Sequence, residues 1–348
     1  MKDIRQTTHE ELEIFFEKCG EKKFRIKQIE EWLWRKGCTS YEEMTNLPAT
    51  LRTLLKENYQ FEHIEIDTAE RDSDGTTKFL FRLADGNKIE GVLIPSANRV
   101  TACISSQAGC PLKCAFCATG QMGLQRNLLF SEIFDQFILM NRFAQENYGK
   151  GITNIVYMGM GEPLLNYENV MRSVLLLTSP QYQGLSPQRI TLSTVGVTKG
   201  IRRLADENFP CGLALSLHCA DEQKREKIIP STKIYPLHEI REALSYYHKK
   251  TGKRISIEYL LLDGITDSRT DAAKLWEFCL PFPTKINLIE YNDNNLQFRK
   301  STDKKTRDFV SFLESKNMVV TVRRSRGREI AAACGQLLVN QNNNNKKN

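Results

Sequence analysis

No run of the sequence approaches the roughly 20 apolar residues that a membrane-crossing helix needs. The opening residues, MKDIRQTTHEELEIFF, are charged from the start and lack the apolar core of a secretory signal. A soluble chain in the cytoplasm, with no membrane partner, is expected. A strong excess of one charge is also missing: 49 Lys and Arg stand against 42 Asp and Glu, a net +7. The basic residues are nevertheless clustered, at Lys22, Lys23, Arg25 and Lys27, and at Lys249, Lys250, Lys253 and Arg254. Further clusters are Arg299, Lys300, Lys304, Lys305 and Arg307, and Arg323, Arg324, Arg326 and Arg328. Strips of this kind attract phosphate backbones, although a solvated surface reads the same way. The ten cysteines do not imply a disulfide scaffold, because a reducing compartment keeps thiols apart. Clustered cysteines point instead to metal or catalysis, and scattered ones to packing.

Residues 1 to about 60 read as a helical accessory domain, with Ile26, Ile29 and Leu33 at helical spacing and Leu47, Leu51, Leu54 and Leu55 following the turn at Gly37. Residues 61–98 read as a short β linker, with strands at Lys78–Leu83 and Lys88–Ile94 around the hairpin signal Asp85-Gly86. From residue 99 to 338, apolar strand-like runs alternate with helical segments. The strands are expected at Val100–Ser105, Ile152–Met158, Arg189–Thr194, Gly212–Leu217, Ile255–Leu262 and Lys285–Tyr291. Helices fit Ser131–Asn147 and Thr302–Lys316, and Met318–Val322 fits an edge strand. This is an α/β pattern with a parallel sheet. About six units are too few for a complete barrel, so an incomplete TIM-type barrel is expected, with ligands at the C-terminal ends of its strands. The tail, 339–348, is of low complexity and is expected to be disordered.

The segment CPLKCAFC places Cys110, Cys114 and Cys117 on one short loop. Three thiolates can anchor a cubane iron–sulfur cluster. With no fourth cysteine nearby, one iron would be open. A zinc site would want four ligands in paired spacings, and the nearest other candidate, Cys103, sits in an expected strand. The Cys-x3-Cys-x2-Cys spacing, with Phe116 before the last cysteine, resembles the signature of the radical S-adenosylmethionine superfamily. That resemblance implies a 4Fe-4S cluster whose open iron chelates the cofactor and whose electron cleaves it to a 5′-deoxyadenosyl radical. It also gives meaning to MGMGEP, a weak glycine-rich strand end by itself. Gly161 and Glu162 would hold the methionyl amino group. Ser193, Ser216, Leu217, His218 and Asn292 recur at strand ends and are placed to touch the methionyl or ribose groups.

Near the C-terminus, Cys334 lies in REIAAACGQLL, a stretch that reads as a compact loop with arginines close by. Packing is the plain alternative for such a thiol. The stretches FRIKQIEEWLW, TSYEEMTNLP, ACISSQAGCPLKCAFCATGQMG, YMGMGEPLLN, ITLSTVGV, LALSLH and ACGQL together resemble the RlmN/Cfr family of RNA adenine methyltransferases. The resemblance implies that Cys334 carries the methyl group, that Cys103 is its partner, either helping to remove the ring proton or resolving the linkage through a transient disulfide, and that Glu90 accepts a proton. Without it, Glu90 would read as an exposed strand acid. It further implies two molecules of S-adenosylmethionine per methylation, a reductant such as flavodoxin, and 23S ribosomal RNA and transfer RNA as substrates. RlmN-like members act on carbon 2 of adenine and Cfr-like members on carbon 8; MGMGEPLLN and SRGREIAAACGQL sit closer to the former. Gly91 stands where the family usually has a hydroxyl residue, and Cys219 where alanine is usual. Two other classes remain open at this point: a radical enzyme acting on a protein or metabolite, and a zinc-bearing RNA-binding protein without activity.

Overall fold

The computed structural model describes residues 1–292, 298–323, 326, 327, 329–333 and 335–337. The expected disordered tail and Cys334 lie outside the described residues. At the N-terminus, β1 (Lys2–Asp3) pairs in parallel with β2 (Tyr59–Gln60) and brackets three helices, α1 (His9–Cys19), α2 (Phe24–Glu30) and α3 (Ala49–Asn58). Helix α1 starts where Thr8 and Glu11 cap each other reciprocally and stops at Gly20, which takes a left-handed conformation. Such a capping box is worth ~1 kcal/mol. Helix α2 runs on through a π-helical segment, Glu31–Lys36. The expected stripe is the buried one: Ile26, Ile29, Leu33, Leu51 and Leu55 are all inside. Trp34 carries this helical region onto the rest of the chain, its ring packing against Phe130 and Phe134.

The remainder is built on one ten-stranded sheet. In chain order its strands are β3 (Glu65–Arg71), β4 (Thr77–Arg82), β5 (Lys88–Ser96) and β6 (Arg99–Cys103). A two-stranded ribbon, β7 (Gln107–Gly109) with β8 (Leu124–Asn127), then flanks the cysteine loop and the short helix α4 (Ala118–Met122). Helix α5 (Phe130–Tyr148) leads to β9 (Asn154–Tyr157), α6 (Tyr167–Thr178), β10 (Ile190–Thr194), α7 (Thr198–Asp206) and β11 (Gly212–Ser216). The chain continues through α8 (Glu222–Ile228), α9 (Leu237–Thr251), β12 (Ile255–Leu261), α10 (Arg269–Cys279), β13 (Thr284–Glu290), α11 (Asp303–Ser315) and β14 (Val319–Arg323).

The strand order is β14-β13-β12-β11-β10-β9-β6-β5-β4-β3. From β6 to β14 every pairing is parallel, the expected strand–helix alternation. The edge strand expected after α11 is present as β14. Strands β3–β5, expected as a linker, are hydrogen-bonded antiparallel into the same sheet. Because β14 and β3 form the two edges, the sheet is an incomplete barrel. On one face of each central strand the side chains are wholly apolar and buried: Ile255, Ile257 and Tyr259 of β12 and Ile286 and Leu288 of β13. Each such side chain contributes about 1.5–3 kcal/mol by leaving water. No described helix is long and apolar enough to cross a membrane.

Candidate active site

The C-terminal ends of the parallel strands open into a cavity of about 420 Å³. Cys110, Cys114 and Cys117 line it together. Their loop is tied down from several sides. Cys110 N–H donates to the Gly123 carbonyl (3.0 Å), Ala115 N–H to the Ile228 carbonyl (2.8 Å), and Cys117 N–H to the Cys114 carbonyl (3.1 Å). Phe116 meets His218 edge-on, with ring centroids 4.9 Å apart. Burial pushes the Cys110 thiol up to about 12. Cys114 is raised well above the ordinary thiol range, first by burial and then by its neighbours Cys117 and Cys110; burial raises Cys117 as well. These thiols ionise together only when a cation compensates them.

Strand β9 ends at Gly159-Met160-Gly161-Glu162. Gly161 has φ +99°, and a Cβ there would fall 2.5 Å from Gln107 Cβ, so only glycine fits. Gln107 Oε1 in turn accepts the Glu162 N–H at 2.8 Å. The Glu162 carboxylate, buried in the cavity wall, accepts from Leu164 N–H (3.1 Å) and Val195 N–H (2.9 Å). Burial raises its pKa to about 7. Ser193 and Ser216, at the ends of β10 and β11, face one another with Oγ atoms 2.9 Å apart. His218 lines the same wall, with φ +56° and Nδ1 buried without a hydrogen-bond partner among the described residues. Burial, helped by the Arg225 charge, pulls its pKa down to about 3, so the ring is neutral.

Leu217 and Asn292 sit just behind this surface rather than on it. Leu217 is fully buried, and its N–H donates to the Glu258 carbonyl (3.1 Å). Asn292 Nδ2 turns back to the Glu290 carbonyl (3.5 Å).

Cys103 lines the cavity and pairs in register with Val92, another lining residue. Glu90, two residues earlier on the same face of β5, is outside the lining set. Here the sequence reading of an exposed acid is corrected: Glu90 is only 4% exposed. Strand β4 covers one side of it, Lys78 Nζ lies 3.6 Å from its carboxylate, and its carbonyl accepts from Ser105 Oγ (2.6 Å). Gly91 occupies a tight spot, where a Cβ would come within 3.0 Å of the Phe81 ring. Cys219 is buried and its thiol points at the Asp221 carbonyl.

The C-terminal segment completes the wall. Ala332, Ala333, Gly335 and Leu337 all line the cavity. The expected compact loop is visible in the Ala332 N–H to Gly327 carbonyl bond (2.8 Å) and the Gln336 N–H to Ala333 carbonyl bond (3.0 Å). Cys334 itself lies outside the described residues.

Two residues in this region were missed by sequence reasoning. Glu258 lines the cavity from the middle of β12, accepting from Asn287 Nδ2 (2.7 Å) with Arg323 3.7 Å away. A carboxylate inside an apolar strand is unusual enough to have signalled it. Arg225 is wholly buried beside the cysteine loop, yet sits in the polar run DEQKREK, which reads as a solvated helix and gave no signal.

Comparison with known proteins places this geometry. Residues 2–61 match the model of the ribosomal RNA large subunit methyltransferase N-terminal domain, and residues 104–275 that of the radical SAM superfamily. The chain is 45% identical to the probable dual-specificity RNA methyltransferase RlmN of Flavobacterium johnsoniae, over 97% of both chains. The chain belongs to the RlmN family. A dual-specificity RNA methyltransferase RlmN of Desulfotalea psychrophila is 44% identical, over 97% of this chain and 95% of its own. A crystal structure of a radical SAM methyltransferase from Sphaerobacter thermophilus superposes with a TM-score of 0.91 at 38% identity, covering 97% of this chain and 99% of that one.

Membership in the RlmN family implies a 4Fe-4S cluster and S-adenosylmethionine, and the residues present fit both. Three thiols share one cavity wall, and a buried carboxylate, Glu162, faces the same space. Among the described residues no three His, Cys, Asp or Glu side chains converge as ligands of a single ion would.

The basic clusters are less uniform than the sequence suggested. Lys23 pairs with Glu17 (2.7 Å), Lys300 with Glu290 (3.1 Å), and Lys305 with Asp263 (2.7 Å). Lys22 and Lys27 are exposed, and Arg326 lines the cavity. Arg324 and Arg328 lie outside the described residues.

Proposed function

We propose that this protein methylates carbon 2 of an adenine in 23S ribosomal RNA and of an adenosine in transfer RNA, acting in the cytoplasm. The observation that carries the reading is the shared cavity. Cys103, the cysteine loop, and Ala333 and Gly335 on either side of Cys334 belong to the same wall.

Carbon 2 of adenine is electron-poor and resists direct attack on an electrophilic methyl donor. A thiol carrier solves this by separating methyl capture from carbon–carbon bond formation. Cys334 is the carrier; Cys103 attacks the Cys334 sulfur of the linked nucleotide, the sulfur–carbon bond breaks as the disulfide forms, and the released carbon takes up a proton to become the methyl group. Glu90 accepts the ring proton, with Lys78 as its neighbouring cation. Cys110, Cys114 and Cys117 would hold the cluster, which together with S-adenosylmethionine supplies a carbon-centred radical when bound. Gly161 and Glu162 receive the methionyl amino group. Ser193, Ser216 and His218 line the path for the methionyl and ribose groups, with Leu217 and Asn292 setting the loops behind them. Two molecules of S-adenosylmethionine are used per methylation, and a flavodoxin-type protein is the electron source. Residues 1–60 act as the RNA-binding accessory domain, 61–98 carry Glu90, and 99–338 form the catalytic core.

The test is the map of methyladenosine isomers in ribosomal and transfer RNA from cells with and without this protein. Loss of 2-methyladenosine from both RNAs is expected on deletion. Loss of 8-methyladenosine would assign the other regiochemistry, and no change in either would overturn the reading.

A further inference from the structure

Among the described residues, Arg225 is the largest side chain that is completely buried. Its guanidinium donates to three oxygens on three different loops: Nε to the Leu217 carbonyl (3.0 Å), Nη1 to Thr232 Oγ1 (2.9 Å) and Nη2 to the Val195 carbonyl (2.7 Å). All three acceptors are neutral. No Asp or Glu among the described residues forms an ion pair with it, whereas the other buried arginine, Arg5, lies between Asp3 and Asp135. A buried guanidinium without a paired counter-ion is costly, and a negative charge arriving nearby would offset that cost.

The position says where that charge arrives. Arg225 lies on α8, and one turn later the Ile228 carbonyl accepts the N–H of Ala115, the residue after Cys114 (2.8 Å). The helix thus backs directly onto the cysteine loop. Leu217 and Val195, which the guanidinium clamps, precede His218 and follow Thr194, both lining residues of the cavity.

We propose that Arg225 is the resident counter-charge of the iron–sulfur site and sets its reduction potential. This rests on the cluster reading of Cys110, Cys114 and Cys117. Three thiolates leave an oxidised 4Fe-4S unit with net negative charge, and one-electron reduction adds another. A fixed cation buried beside one ligand stabilises the reduced form more than the oxidised form and raises the potential. The low dielectric and the lack of a paired carboxylate leave that charge poorly screened. A unit charge at about 10 Å with an effective dielectric near 20 changes such an equilibrium roughly tenfold. Arg225 is a positioning and electrostatic residue, acting through the cluster rather than on substrate.

The test is a dye-mediated reductive titration, followed by electron paramagnetic resonance, of anaerobically purified holoprotein and two variants. Arg225→Gln keeps amide donors and removes the charge; Arg225→Lys keeps the charge and loses the fork. Iron and sulfide are assayed first, and a parent protein without them refutes the cluster reading itself. With the cluster present, Arg225→Gln is expected to make reduction about tenfold less favourable, ~59 mV for a one-electron couple. Arg225→Lys is expected to stay within about twofold of the parent. An unchanged potential in Arg225→Gln, or equal shifts in both variants, would overturn the proposal. Loss of the cluster from both would also overturn it, by assigning the residue to holding the loops alone.

Discussion

Thr119 Oγ1 donates to the Leu337 carbonyl at 2.7 Å, across 218 residues of chain. Beside it, Ala118 N–H donates to the Gly335 carbonyl, also at 2.7 Å. These two bonds fasten the C-terminal segment onto the cysteine loop, so the stretch containing Cys334 and the residues that would hold the cluster are registered to one another. Thr119→Val removes that bond together with the hydroxyl's interaction with the Cys117 thiol, and leaves a buried carbonyl unpaired, at about 1–3 kcal/mol. The variant is expected to keep its iron and its reductive cleavage of S-adenosylmethionine while RNA methylation drops severalfold. Quantifying 5′-deoxyadenosine and methylated RNA in the same reactions checks this. Equal loss of both products would mean the bond merely supports the fold.

The pH dependence of stability is set in part by Glu162. Its pKa rises from the ordinary 4.5 to about 7 on folding, through burial. The folded state therefore binds its proton more tightly, and the associated stability is full below about pH 4.5 and lost as pH rises through about 7. A shift of this size corresponds to about 3 kcal/mol. His218 runs the opposite way: its folded pKa of about 3 gives stability that is present above about 6.5 and lost as pH falls toward 3. The two overlap, so the informative quantity is a difference. In cluster-free protein, urea unfolding of the parent minus that of Glu162→Gln should decline by a few kcal/mol between pH 4.5 and 7. A flat difference would show that the Glu162 carboxyl is not desolvated as described.

Much of this architecture was legible because its signals are local. Strands β9 to β13 are short apolar-rich runs separated by helical segments, and their ends carry Glu162, Ser193, Ser216 and His218. Strand β3 was not legible. Its sequence, EIDTAER, is exposed at every position because it forms the sheet edge, so no apolar alternation marks it. That omission explains the misreading of Glu90. An acid on a two-stranded linker is exposed, whereas an acid on the third strand from the edge of a ten-stranded sheet is covered. Arg225 was invisible for a related reason: a helix with one inward cation among outward ones has the composition of a solvated helix. The roles of Cys103 and Cys334 came from resemblance, since a lone thiol beside alanines has the same sequence whether it packs or reacts.

RNA affinity should depend on the exposed cations of α2 and the turn before it. Lys23 is already paired with Glu17, and Arg25 Nη1 donates to the Asn46 carbonyl (3.3 Å), whereas Lys22 and Lys27 stand in solvent. Replacing Lys22 and Lys27 with Gln is expected to weaken binding and to reduce the slope of log affinity against log salt by about 2, one for each phosphate no longer neutralised. Replacing Lys23 alone should do less. Filter binding of ribosomal RNA fragments at several salt concentrations separates these outcomes. Unchanged slopes would mean this face does not meet phosphate.

Cys103 and Cys334 should fail at different steps. If Cys334 is the methyl carrier, Cys334→Ala yields protein without a methyl group and RNA without product. Cys103 is required only after the carbon bond to adenine exists, because its task is to release Cys334 from the linked nucleotide. Cys103→Ala should therefore still be methylated at Cys334 and then stall as a covalent adduct joined through Cys334. The motivating observation is that Cys103 lines the same cavity as Ala333 and Gly335, the neighbours of Cys334 in sequence. Packing predicts something different for these thiols: a modest loss of stability in each variant, about 1 kcal/mol, with product forming normally. A denaturing gel of Cys103→Ala incubated with RNA, followed by mass spectrometry of the peptide containing Cys334, distinguishes the two. A slow band that collapses on ribonuclease treatment, with the nucleotide mass on that peptide, is the expected result. Methylated RNA accumulating at the parental rate, with no adduct, would show that Cys103 takes no part in release.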